Sequence, residues 1–416
     1  MGEGIRVLSI PPPAMPAARA AERPLLARAL SPASLGPLEL RNRIIKTATY
    51  EGMTPGGAPS PALEHHHVEL ARGGVGMTTV AYCAVSPNGR TFAGQMWMRE
   101  EIVPALAALT AAVHAAGAAV SLQLGHCGYF SRNTELPGRR SLGPSRLLNE
   151  YGLLSGIPLS RAMSPGDLAE TVEDFASAAE RAQRAGFDAV EVHLGHGYLL
   201  SQFLSPATNR RRDGYGGTLE NRLRFPLEVL SAVRARVGDR VAILVKTNLR
   251  DGFRGGLELE GAITVCERLE AAGVDAIELT GGFTSRTPFY LFRGKVPLKE
   301  MIEVEKHRLH RVALRLFGAR AMREYPFEEL YFLPLARRVR ERVKIPLVLL
   351  GGCLSSSNLE TAMEEGFDFV AMGRALIADP DLVQRLAAGL TERSRCTSCN
   401  RCVAEMDRGG VRCVLG

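Results

Sequence analysis

The sequence holds no stretch of about 20 uninterrupted apolar residues, the length a helix needs to cross the hydrocarbon core of a bilayer. Its first thirty residues are rich in Pro, Ala and Arg and lack the apolar core of a secretory signal. No basic run is interleaved with aromatic residues, so the usual footprint of a nucleic-acid surface is missing. These absences predict a soluble cytoplasmic protein that acts on a small molecule, with no nucleic-acid partner and no integral membrane segment. Assembly into a homo-oligomer is compatible with them.

What is present suits a large packed core: 416 residues, 46% hydrophobic, 43 glycines and 23% charged. Chains of this length form two or three domains, or one α/β barrel, so pattern has to decide. The formal charge of +7 comes mainly from arginine and suits an anionic cofactor or an acidic surface. The eight cysteines are unevenly spread. Cys83, Cys127, Cys266 and Cys353 lie apart in apolar segments and read as small buried hydrophobes, whereas Cys396, Cys399, Cys402 and Cys413 crowd the C-terminal end.

Along the chain a short apolar, β-branched run is repeatedly followed by a longer segment of helical periodicity. The strand candidates are Ile44 to Ala48, Met77 to Ala84, Ala119 to Leu124, Ala189 to His193, Val241 to Thr247, Ala276 to Thr280, Leu347 to Leu350 and Phe369 to Met372. Between them lie amphipathic segments such as Ala62 to Arg72, Pro165 to Ala185, Leu219 to Val237 and Phe327 to Val343, several of which stop at a glycine. Strict alternation implies parallel strands and right-handed crossovers, and eight units imply closure. The predicted fold is therefore α/β, a single parallel (β/α)8 TIM barrel, with an open doubly wound sheet as its rival. Residues 1–28 read as a flexible lead-in, 29–390 as the barrel, and 391–416 as a Cys-rich tail. A long insertion after strand six, about residues 283–325, reads as a lid, a helical ornament or a dimer contact, with peripheral membrane contact a further option.

In this fold the chemistry sits where strands end. Gly351-Gly352 after strand seven and Gly373-Arg374 after strand eight leave backbone N–H groups open to close approach, and Arg374 can fork onto phosphate oxygens. A phosphorylated cofactor or substrate is implied. His193 and His196 leave strand four on one short loop, with the phenol of Tyr198 two residues on. Two histidine donors can hold and polarise a carbonyl, and a tyrosine can deliver a proton to carbon. Zinc is the rival use of paired histidines, but no third ligand stands at a suitable spacing.

The segment HLGHGYLLSQFLSPATNRRRDGYGG followed by Glu220-Asn221-Arg222, with Leu40-Arg41-Asn42-Arg43-Ile44, Gln123-Leu124-Gly125-His126, Gly351-Gly352 and Gly373-Arg374, resembles the signature of the Old Yellow Enzyme family of NAD(P)H:flavin oxidoreductases, the ene-reductases. The likeness spans roughly residues 31 to 390. It implies FMN as cofactor and NADH or NADPH as reductant. By the same resemblance, Thr47, Ala48, Thr49 and Tyr50 lie along the flavin edge, Gln123 bonds its pyrimidine part, and Lys246 sits near N1 and O2, where a cation suits the anionic reduced ring. Gly351, Gly352, Gly373 and Arg374 hold the phosphate. His193 and His196 bind the carbonyl oxygen of an electron-poor alkene, and Tyr198 protonates its α-carbon after hydride reaches the β-carbon, in a ping-pong cycle.

Two departures stand out. The strand-one segment reads Lys46-Thr47-Ala48-Thr49-Tyr50 where relatives often have Pro followed by Thr or Cys, and Lys246 stands where many have Arg. The tail reads CTSCNRC, then ten residues, then Cys413; such spacing suits a tetrahedral metal or an iron-sulfur cluster. Multidomain relatives such as dienoyl-CoA reductase carry a cluster there, but with three residues between the second and third cysteines and a further flavin and nucleotide domain. Iron-sulfur, zinc and unliganded thiols all stand as readings of Cys396, Cys399, Cys402 and Cys413. Outside flavin chemistry, a non-redox barrel lyase or isomerase acting on a phosphorylated substrate is the alternative.

Overall fold

The computed structural model describes residues 15–415. The apolar runs form strands because their residues are β-branched or small and are buried on both faces, as parallel sheets between helices require. A short antiparallel hairpin comes first, β1 (Ala33–Leu35) and β2 (Leu38–Leu40). The next strands are β3 (Ile44–Lys46), β4 (Met77–Ala84) and β5 (Ala119–Gly125). A small parallel pair, β6 (Ser141–Gly143) and β7 (Ser160–Ala162), interrupts the connection out of β5. Then follow β8 (Ala189–Leu194), β9 (Ala242–Asn248), β10 (Ala276–Thr280), β11 (Leu347–Leu350) and β12 (Phe369–Met372).

Strands β3, β4, β5, β8, β9, β10, β11 and β12 close in that order into a barrel in which every neighbour is parallel. The expected (β/α)8 TIM barrel is the observed fold, and the open doubly wound sheet is excluded. Its outer helices include Pro61–Arg72, Pro165–Arg184, Leu219–Val237 and Ser356–Glu364. Ser164 and Ser355 cap two of them in reciprocal bonds with Asp167 and Asn358. Among the described residues no helix is long and apolar enough to cross a membrane.

One end of the barrel is plugged. Leu35 and Leu40 of the hairpin are buried against Ile45, Met77, Ala119, Ala189, Leu244, Val348 and Phe369, which point inward from seven strands. Two strand positions higher, the alternation of the pleat turns polar residues inward, so the interior passes from an apolar floor to a charged layer.

Three sequence expectations are corrected. The lead-in is not flexible where it is described: Ala17–Glu22 and Pro24–Ala29 are helices, Leu26 and Ala29 are fully buried, and Arg23 bonds Glu360 at 2.9 and 2.7 Å. Burial and ion pairing anchor helices too short to show periodicity, and the remainder of that expectation, residues 1–14, lies outside the described residues. The helix expected over Phe327 to Val343 is confined to Leu333–Arg340, because Leu330 takes a left-handed turn (φ 55°) that lays Tyr331 and Phe332 beneath Gly351 and Gly352. Strand one ends at Lys46, two residues early, which frees Thr47 and Ala48 for the mouth.

The insertion forms three short helices, Pro288–Leu291, Leu298–Val304 and Arg308–Ala321, the last exposing Leu309, Val312, Leu316 and Phe317. The tail folds back on the strand-one loop: Val411 N donates to Glu51 O at 2.7 Å, and a Cβ on Gly52 would collide with Met406 O. Leu35→Ala, which empties the centre of the floor, is expected to cost about 2–5 kcal/mol in a chemical denaturation curve; a loss under about 1 kcal/mol would show that the hairpin does not seal the barrel.

Candidate active site

Above the floor, Glu191 of β8, Lys246 of β9 and Glu278 of β10 share one layer. All three are essentially fully buried, and strand register sets Lys246 directly beside Glu278 and His193. Lys246 Nζ lies 2.9 Å from Glu191 Oε1 and 3.1 Å from Glu278 Oε1, and it donates to Thr47 Oγ1 at 3.0 Å. Thr47 in turn donates to Glu278 Oε1 at 2.5 Å, and Gln123 Nε2 donates to Glu191 Oε1 at 2.6 Å.

Burial alone would lower the Lys246 pKa, but the two glutamates outweigh it and raise it, so the ammonium is retained. Glu191 is pushed up to about 7, first by burial and partly opposed by Lys246. A second buried cluster sits on the outer side of β3. Lys46 bonds Thr47 O and Thr49 Oγ1, Glu51 accepts from Ala81 N, and His67 approaches Glu51 at 3.4 Å. Burial drives Lys46 down, Glu51 up and His67 down to about 3.

The strand-four loop stands over the charged layer. Asn248 Oδ1 accepts from His196 N at 2.9 Å, while its amide donates to Asp251 and Gly282 O. That grip holds His196 at φ 58°, an uncommon conformation for a side-chain-bearing residue. The His196 ring then reaches Thr280, with Nε2 2.8 Å from Oγ1. His193 lies 5.0 Å from His196 and 4.7 Å from Tyr198 between ring centroids, and Tyr82 packs 4.9 Å from Tyr198. Burial pushes His196 down to about 3 and His193 well below its usual value, so both rings are neutral. The same burial raises the Tyr198 phenol, which keeps its proton throughout the neutral range.

A cavity opens beside these groups. Its walls include Thr47, Ala48, Thr49, His196, Lys246, Gly351, Gly352, Gly373 and Arg374. Gly351 and Gly352 are required there: at φ 112° and 79°, a Cβ would strike the Phe332 ring at 2.7 Å and Glu328 O at 2.8 Å respectively. A cation and hydroxyls at one end, with glycine backbone and an arginine at the other, fit a phosphorylated cofactor whose far end gains negative charge. The residues therefore fit FMN.

The structure brings nine of the thirteen sequence-derived site residues to this cavity and sets four outside it. Gln123 is turned onto Glu191. Tyr50 sits at the rim, edge-on to Phe92 at 5.6 Å, and His193 and Tyr198 pack with Tyr82 beside the cavity. Arg374 lines the wall, yet its Nη1 bonds Phe292 O at 3.0 Å, Arg293 O at 2.9 Å and the side chain of Asn400. Sequence reasoning missed Glu191, Glu278, Tyr82 and Asn400. Lone charges inside the otherwise apolar runs AVEVHL and AIELT were the available signal for the first two.

The four tail cysteines line one small cavity with Arg374 and Asn400. Burial raises the thiols of Cys396 and Cys402, the latter to about 11. Among the described residues no three His, Cys, Asp or Glu side chains converge in a geometry that could hold a metal ion. The thiols share a pocket without forming a ligand set.

A profile of the NADH:flavin oxidoreductase / NADH oxidase family matches residues 30–281. The chain is 45% identical over 387 residues to 4,4'-dithiodibutanoate disulfide reductase of Rhodococcus erythropolis, covering 92% of this chain and 94% of that one. It is 34% identical over 373 residues to a metal reductase of Desulforamulus reducens, 89% of this chain but only 50% of the relative, so it spans half that protein's length. Among solved structures, morphinone reductase in complex with tetrahydroNAD superposes with a TM-score of 0.67 at 26% identity, over 89% of this chain and 93% of that one.

Removing the central cation gives a direct test of the charged layer. Lys246→Ala is expected to cost about 3–5 kcal/mol of stability at neutral pH, because it leaves two buried carboxylates uncompensated. A carboxyl whose native pKa is raised contributes stability that is lost as pH rises through that pKa, so the deficit should shrink as pH falls towards about 5. Denaturation at several pH values reads both, and a pH-independent deficit would rule out the uncompensated carboxylates as its cause.

Proposed function

Because the chain belongs to the NADH:flavin oxidoreductase / NADH oxidase family and is an FMN-dependent NAD(P)H oxidoreductase of the Old Yellow Enzyme kind, we propose that it reduces the activated C=C bond of α,β-unsaturated carbonyl-type substrates. The family assignment displaces the non-redox lyase or isomerase alternative. Bound FMN supplies the hydride relay between NADH or NADPH and the substrate. Lys246 would hold the pyrimidine end of the ring with Thr47, and Gly351, Gly352, Gly373 and Arg374 would hold the phosphate.

The observation that carries the finer reading is the packing of His193, His196 and Tyr198 on one another beside the Lys246 end of the cavity. Neutral imidazoles offer N–H donors to a carbonyl oxygen without placing a positive charge over the ring, and hydrogen bonding there draws electrons from the conjugated β-carbon. Tyr198, held protonated, gives its proton to the α-carbon as hydride arrives at the β-carbon and regains one from water. Tyr82 is committed elsewhere, donating to Gly89 O at 3.2 Å.

The 45% identity to a disulfide reductase supports a second substrate reading for the same parts. There hydride would go to one sulfur, the S–S bond would break, and Tyr198 would protonate the departing thiolate. For the tail, an iron-sulfur cluster or zinc ion would require the four thiols to close in on it, and no step is routed through either. Metal analysis of the purified holoenzyme should then find one cluster or one zinc per chain; protein containing neither iron nor zinc would leave Cys396, Cys399, Cys402 and Cys413 as thiols.

Stopped-flow kinetics on Tyr198→Phe separate the steps. Reduction by NAD(P)H should change less than about twofold, whereas reoxidation by a cyclic enone should slow by about 10²–10⁴. Equal rates in both halves would remove Tyr198 as the donor. Turnover of 4,4'-dithiodibutanoate without turnover of the enone would select the disulfide reading.

A further inference from the structure

The charged layer has an uneven balance. One ammonium, Lys246, is shared by two carboxylates, and each carboxylate spends a single oxygen on it. Among the described residues, the other oxygens, Glu191 Oε2 and Glu278 Oε2, are buried without a hydrogen-bond partner. Two ionised carboxylates around one cation, each with an unsatisfied buried oxygen, are costly, and one proton between them removes the excess negative charge.

We propose that the Glu191–Glu278 pair takes up one proton from solvent when the FMN beside Lys246 is reduced, so that the pocket accepts two electrons and two protons in all. This rests on the FMN reading above. Hydride transfer brings two electrons and one proton to the cofactor and adds one negative charge to it. Lys246 must then serve that charge as well as the two glutamates, and the second proton, bound by the pair, restores the original balance.

The pair is in direct ion-pair contact with Lys246. Just past β3, Thr47 exchanges hydrogen bonds with Lys246 and Glu278; Lys46, lowered by burial to about 8, feels the charges of Glu191 and Glu278 but spends its hydrogen bonds on Thr47 O and Thr49 on the outer side. From β5, Gln123 donates to Glu191. From β8 and its loop, His193 and His196 are held neutral, far from titrating at neutral pH. Tyr82 and Cys83 of β4 are both raised by burial and keep their protons, and β11 and β12 carry no charged residue. Glu191, raised to about 7, stands at the edge of the neutral range before the cofactor gains its charge.

The midpoint potential of the FMN-loaded protein, followed spectroelectrochemically from about pH 5 to 9, reads the proton count, since each proton per two electrons adds about 30 mV per pH unit. The expected profile is about 30 mV per unit at acid pH, where the pair already holds its proton, steepening to about 60 mV above about pH 7. Glu191→Gln, which leaves one carboxylate on one ammonium, should give about 30 mV throughout; Glu278→Gln has the same expected outcome and serves if the first variant does not fold. A uniform slope of about 30 mV in the unaltered protein, a slope steep at acid pH and shallow at alkaline pH, or a bend that survives both substitutions would each overturn the proposal, the last two placing the second proton elsewhere. Protein that binds no FMN would overturn the cofactor reading with it, whereas a flavin-loaded protein with the wrong profile overturns only the proton uptake.

Discussion

The interior of this barrel depends on one ammonium group held between two carboxylates, all three almost fully buried. Lys246 cannot be separated from Glu191 and Glu278 without leaving unpaired charge in a dry core, and each of the three comes from a different strand. The layer therefore fixes β8, β9 and β10 against one another in height as well as in order. It sits directly above the apolar floor and directly below the His193–His196–Tyr198 loop, so the geometry of the upper site inherits its position from the charged layer. Thr47 ties in β3 through Lys246 and Glu278, which draws the strand-one loop to the same cavity wall.

The glycine end of the cavity is built differently. There the backbone does the shaping: Gly351 and Gly352 pass so close to Phe332, Tyr331 and Glu328 that no side chain fits. Arg374 is drawn towards the insertion and the tail by Phe292 O, Arg293 O and Asn400, and Asn400 also donates to Phe292 O and Lys295 O. The insertion, the tail and the last barrel strand thus meet at a single guanidinium. The cysteine pocket and the cavity at the strand ends share it, since Arg374 lines both.

Most of the fold was legible in the sequence because a parallel barrel writes its period plainly: apolar runs four to eight residues long, separated by amphipathic helices that stop at glycine. The strand limits differ by two residues or fewer from those expected. Less legible were elements whose order comes from distant contacts. The helices Ala17–Glu22 and Pro24–Ala29 are too short for periodicity and are held by Glu360 and Glu392, more than 330 residues away. The motifs pointed to nine residues that line the cavity, but Glu191 and Glu278 were passed over. Their charges are visible in the strands, yet only barrel closure shows that both meet Lys246. Asn400 escaped for the same reason, because nothing local predicts that the tail folds back onto Arg374.

The hairpin that closes the floor gives the molecule the shape of a cup rather than a tube. With Leu35 and Leu40 sealing one end, the cavity beside Lys246 and His196 belongs to the opposite end of the barrel.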